Sequence, residues 1–225
     1  MTSVAVIQPY FVPYAGYFRL FTAADAVVLF DCVQFPRRGW VHRNRFATST
    51  GEPAWLTLPL QKAEREVAIA DLRFTPDAPA RLEAQVCRFP TLESARKQQH
   101  PLLARLLGVG ESGDVTEYLV DLIRDVVAIL GIERPMLRSS RMSLPNDLRG
   151  QDRVIAAVKA AGGNRYVNPS GGRELYDHAS FAESGVELGF LSPYGGSYAS
   201  VLTRLIEEPP DQLGAEIRRE TVVTP

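Results

Sequence analysis

The sequence predicts an α/β fold: an open, mostly parallel sheet flanked by helices, with an inserted β-rich segment. Three observations predict it. Short apolar runs of strand length, among them "SVAVI", "RYVNP" and "VELGFL", recur along the chain. Stretches at helical spacing fall between them, the alternation that pairs strands in parallel. The 225 residues, 45% of them hydrophobic and without internal repeat or low-complexity linker, suffice for one large core. The expectation is a single α/β domain over 1–225, with 36–101 as a β-rich insertion or a cap over the cleft.

In order, "SVAVI" is a buried strand, "GYFRLFTAAD" a short helix and "AVVLFDCVQF" a second strand. "PAWLTLPL" and "EVAIADLRF" read as strands bounded by proline and charge, and "TPDAPARLEAQVCRF" turns into a helix. In "VTEYLVDLIRDVVAILG", Leu119, Leu122, Ile123, Val126 and Leu130 keep helical spacing, and Gly131 suits the left-handed position after the last turn. "PMLRSS" reads as a strand end, "GQDRVIAAVKAAGG" as a helix closed by glycines, and "GGRELYDHASFAESG" as a loop and short helix before the last strand.

A formal net charge of −1 gives no bulk attraction to nucleic acid or to an anionic membrane, so any anion site has to be local. Two cysteines and three histidines show no metal-ligand spacing, and no metal is predicted. The N-terminus lacks the basic and apolar regions of a signal peptide, and no run reaches the length of a membrane span. A cytoplasmic location without membrane insertion is the expectation.

Three segments carry chemistry. The first, "IQPYFVPYAGYF", lies at the carboxyl end of the first strand, where open α/β sheets bind ligands. Gln8, Tyr10, Tyr14 and Tyr17 are its candidate binding residues. Its "YAGY" occupies the place where nucleotidylyltransferases carry His-x-Gly-His; a phenol of pKa near 10 donates only a neutral hydrogen bond there. The second, "FDCVQFPRRGWVHRNRF", crowds Asp31, Gln34, Trp40, His42, Arg43, Asn44 and Arg45 together. Arginine forks suit phosphate or carboxylate, and Asp31 beside His42 would make an oriented base. The competing expectation is a solvated hairpin whose arginines pair with surface acids. The third, "YVNPSGGRELY", sets Asn168, Gly171, Gly172 and Tyr176 before a helix, where backbone amides favour anions. Ser140 stands at another strand end and is expected to converge with them.

Taken together, "QPYFVPYAGYF", "FDCVQFPRRGWVHRNRF", "WLTLPL", "YVNPSGGRELYD" and "FAESGVELGFL" resemble the WbqC-like proteins, from Gln8 to about Leu191. Cys32 departs from the second Asp of that pattern, and the chain after Tyr194 follows it loosely. The resemblance implies transfer of glycine or another aminoacyl or acyl group onto an amino sugar or related amine, in O-antigen or specialised-metabolite biosynthesis. Amide formation needs a base and hydrogen-bond donors for the oxyanion, which makes Asp31, His42 and Asn44 the catalytic candidates: Asp31 or His42 as base, Asn44 facing the oxyanion. The remaining matched residues would bind a small-molecule substrate, a sugar nucleotide or a carrier-bound acyl donor. One alternative is an ATP-dependent ligase or nucleotidyltransferase-like enzyme, the only reading that brings in ATP. Another is a non-catalytic sugar-nucleotide-binding protein.

Overall fold

In the computed structural model, which describes residues 1–109 and 113–224, six strands form one sheet. They are β1 (Ser3–Ile7), β2 (Ala26–Leu29), β5 (Met136–Arg138), β6 (Arg165–Asn168), β7 (Glu187–Leu191) and β8 (Val223–Thr224). Their order across the sheet is β5-β2-β1-β6-β7-β8, all parallel except β8. By chain rank this is third, second, first, fourth, fifth, sixth, the order of doubly wound nucleotide-binding sheets. The direction of winding reverses between β1 and β6. The predicted α/β class and mostly parallel sheet are what the chain adopts.

Both faces of the sheet are buried, and the strand period of two explains how. Val4 and Val6 join Val28, Tyr166 and Phe190 in one core with α6 (Gly150–Ala160) and α7 (His178–Glu183). Ala5, with Val27, Leu29 and Val167, enters the other. That core holds α1 (Arg19–Ala23), α5 (Val115–Ile129) and α9 (Pro210–Arg219). Asp114 caps α5 by accepting from the Thr116 and Glu117 amides, and Gly131 has a φ of 62° just past its end, as its position in the sequence suggested.

The segment 36–101 carries an antiparallel hairpin of β3 (Arg43–Ala47) and β4 (Pro53–Thr57), then α2 (Ala78–Val86) and α3 (Pro90–Lys97). "EVAIADLRF" does not form the strand expected of it. Its backbone pairs at single points, Ala68 with Gln34, Phe74 with Leu60 and Arg73 with Asp114, and a short 3-10 turn at Ile69–Asp71 interrupts it. Pairing that switches partner at each step never propagates into a ladder. Helices α4 (Pro101–Leu107) and α8 (Val201–Glu207) complete the fold. No helix among the described residues is long and apolar enough to cross a membrane.

Candidate functional site

At the carboxyl edge of the sheet, where β1 and β6 part, lies a crevice of about 660 Å³. Gln8, Tyr10, Tyr14 and Tyr17 from the loop after β1 form one wall. Asn168, Gly171, Gly172 and Tyr176 from the loop after β6 form the other, and Gly150 and Gln151 at the start of α6 close the floor. The first and third segments singled out in the sequence thus face each other across the switch point, where open α/β sheets hold ligands.

The loop after β1 is clamped in an unfavourable shape. Val12 has a φ of 39°, a β-branched residue in the left-handed region. Its carbonyl accepts from Asn44 Nδ2 at 2.7 Å and from the Ser200 hydroxyl at 2.6 Å. Asn44 Nδ2 also donates to the Phe11 carbonyl, and the Phe11 amide donates to the Trp40 carbonyl. The clamp aims Tyr10 and Tyr14 into the crevice while Tyr17 is buried and donates its hydroxyl to the Gln8 carbonyl. Burial holds the Tyr10, Tyr14 and Tyr17 phenols above their ordinary pKa, so all three are neutral hydrogen-bonding groups at pH 7.

Glycine is required at two places in these walls. A Cβ on Gly172 would sit 1.9 Å from Asn168 Nδ2, and one on Gly16 2.4 Å from the Tyr14 ring. Gln151 ties the floor to the far wall by accepting from the Asp177 amide at 3.0 Å, and the Tyr166 and Tyr176 hydroxyls share a hydrogen bond.

The crevice continues on both sides. Through Tyr10 and Tyr14 it joins a pocket of about 330 Å³ walled by Trp40, Tyr198 and Asn44. Tyr14 and Tyr198 stack at 4.9 Å, and Trp40 and Tyr198 are 41% and 68% exposed, so the rim is aromatic and open. Through Gln8, Phe30 and Gly150 it joins a cavity of about 690 Å³ holding Cys32, Gln34, Arg149 and Arg153.

The second segment falls differently from its expected arrangement. Asp31 is fully buried, and both its oxygens are occupied. Oδ1 accepts from the Ser139 hydroxyl and the Ser140 amide; Oδ2 accepts from the Ser140 hydroxyl and Arg138 Nε. The carboxylate fixes the turn after β5 and has no free lone pair for a substrate proton. Ser140 serves this network and lines none of the three cavities. His42 does not meet Asp31: its ring packs edge-on against Phe35, and its buried Nδ1 has no hydrogen-bond partner. Burial, followed by the neighbouring Arg43 charge, lowers its pKa to about 4. The oriented Asp31–His42 base is therefore not assembled. Asn44 is spent on the clamp.

Three of the four arginines of this segment, Arg37, Arg43 and Arg45, contact protein. Arg43 and Arg45 alternate onto one face of β3, with their guanidiniums 4.0 and 4.6 Å from the Trp55 ring centre. Arg43 also donates to the Arg38 and Gly39 carbonyls, and Arg37 to those of Ala63 and Glu64. Gln34 donates to the Arg65 carbonyl yet keeps a place in the cavity wall. Sequence reasoning missed Arg149, Arg153, Gln151 and Tyr198 as site residues. The helix signal at "GQDRV" was readable, but not that its first turn enters the cleft.

A family model for the WbqC-like protein family matches residues 8–204, a span that contains both walls of the crevice. The chain belongs to the WbqC-like protein family. It is also similar to the uncharacterized protein Rv1507c of Mycobacterium tuberculosis (strain ATCC 25618 / H37Rv). The two are 39% identical over 61 residues, which is 27% of this chain and 26% of that relative's length. No solved structure gives a significant match. Among the described residues no group of three or more His, Cys, Asp or Glu side chains is placed to hold a metal ion.

Proposed function

We propose that this WbqC-like chain is an amide-forming transferase that moves an acyl or aminoacyl group, glycyl in type, onto the amine of a nucleotide-activated amino sugar or related small amine. The observation that carries the reading is the switch-point crevice, whose walls hold no charged side chain and combine neutral amides and phenols with aromatic and aliphatic faces. Such walls fit a polyhydroxylated ring, and the stacked rim at Tyr14, Tyr198 and Trp40 fits a second flat group.

The chemistry asks the site mainly for alignment. The amine nitrogen forms the new C–N bond, the bond from the acyl carbon to its leaving group breaks, and the amine proton departs with that group. Holding amine and acyl carbon together makes the step effectively unimolecular. The Asn168 amide and the Tyr10 and Tyr176 hydroxyls supply neutral donors for the tetrahedral oxyanion. Asp31 acts as a positioning residue by tying the end of β2 to the turn at 138–141, which holds its neighbours Phe30 and Cys32 in the cleft walls.

A second reading draws on the strand order, which suits ATP as well as a sugar nucleotide, and makes the protein an ATP-dependent ligase. One assay separates them: a nucleotide-activated amino sugar is incubated with protein and an activated acyl donor, with and without ATP, and the sugar is weighed by mass spectrometry. Amide formation without ATP supports transfer. Amide formation only with ATP, accompanied by pyrophosphate or ADP, supports the ligase. No amide with any donor overturns both.

A further inference from the structure

We propose that the 690 Å³ cavity beside Cys32 is an anion subsite that takes the diphosphate of the nucleotide-activated ligand. The inference rests on the functional reading above and deepens it by assigning the charged part of that ligand a place.

Arg149 and Arg153 both line this cavity, and among the described residues neither is ion-paired with an acid. Their contacts pre-set the guanidiniums without exhausting them. Arg149 donates through Nη1 to the Asn146 and Leu148 carbonyls. Arg153 donates through Nη1 to the Pro145 and Leu148 carbonyls and through Nε to Cys32 Sγ at 3.2 Å. Nη2 of each stays free of protein acceptors, as does Arg149 Nε, so one open fork, Nε and Nη2 of Arg149, and a second charged donor, Nη2 of Arg153, line one cavity. The N-terminus of α6 opens beside them: Gly150 lines the wall, and no side chain caps the first-turn amides. The remaining polar wall is neutral, from Gln8, Gln34, Asn146 and Cys32, apart from one carboxylate, Glu66, against the two arginines. The local balance is positive on a chain whose overall charge is −1. One fork, a second guanidinium donor, a helix start and this volume exceed what a single carboxylate needs and match two linked phosphates. Gln8 and Gly150 are shared with the crevice, so a diphosphate here leaves its sugar at the switch point.

Cys32 reports occupancy directly. Inorganic pyrophosphate is titrated onto the full chain, and alkylation of Cys32 by uncharged iodoacetamide is followed by peptide mass spectrometry. The exposed Cys87 is the internal reference. At roughly ten times the dissociation constant, mass action leaves about one site in ten open, so Cys32 should react about tenfold more slowly while Cys87 keeps its rate. Arg149→Gln, an exposed position, should raise the half-protecting concentration roughly tenfold, the loss of a charge-assisted fork, and Arg149→Lys should recover part of it. Each variant is read against its own unliganded rate. Absence of protection, or equal protection by sodium chloride at matched ionic strength or by acetate, overturns the subsite. If pyrophosphate leaves Cys32 unprotected while the amide still forms, the subsite fails and the transferase reading stands. If Cys32 is protected and no donor yields amide, the subsite stands and the transferase reading fails.

Discussion

Asp31 shows how a residue legible as chemistry in the sequence becomes architecture in the fold. The acid at the end of "VVLFD" was readable as a strand-end carboxylate; its saturation was not, because its partners Arg138, Ser139 and Ser140 lie more than a hundred residues away. Asp31→Asn removes the carboxylate from Arg138 Nε, while Glu117 at 2.8 Å and Asp114 at 3.5 Å still pair its Nη1, and should cost about 1.5 to 3 kcal/mol of stability, the value of a hydrogen bond to a charged group, seen as a lower urea midpoint. A variant as stable as wild type would remove the positioning role. His42 gives a pH dependence whose sign follows from its low pKa. The unfolded imidazole titrates near 6.5 and the folded one at about 4, so between these values the unfolded chain binds the proton more readily. The His42 contribution should be constant above pH 7, and stability should decline from pH 6.5 downward. Carboxylates such as Glu216, held low first by the Arg204 hydrogen bond, add their losses only below their unfolded value of 4.5. The melting temperature between pH 5 and 6.5 therefore isolates the histidine, and His42→Gln should flatten it there.

At the scale of elements, the hairpin explains why arginines crowded in sequence line none of the three cavities in space. The period of two puts Arg43 and Arg45 on the Trp55 face and turns Asn44 inward to the clamp on Val12. That alternation was present in "RNRFA", yet composition drew the eye to the charges. Asn44→Ala leaves the Phe11 carbonyl without its side-chain donor and the Val12 carbonyl with the Ser200 hydroxyl alone, and should cost about 1 to 3 kcal/mol, with a matching fall in ligand affinity as the loop relaxes. Gly172→Ala has to push Asn168 aside and should weaken ligand binding more than it lowers the melting temperature; calorimetric titration beside a thermal melt separates the two. Helices α3 and α4 escaped the sequence reading although Pro90 and Pro101 stand at their first positions, where proline favours a start. Both are short and the first is largely polar, so no strong period announces them.

For the whole molecule, the apolar strands and the helices between them were legible because burial on both faces writes itself as continuous hydrophobic runs. The loop after β1 could be located from that pattern alone. What joins it could not: the crossover that lays α6 beside β1 and β6 is a long-range event, and it brings Arg149, Gly150 and Arg153 to Gln8. Hydrogen–deuterium exchange with and without a nucleotide-activated amino sugar decides whether the switch-point cleft or the arginine hairpin is the ligand site. Amides after β1, after β6 and in the first turn of α6 should slow together, with the hairpin at 43–57 unchanged. Protection confined to that hairpin, with the cleft amides exchanging as before, would contradict the cleft as the ligand site.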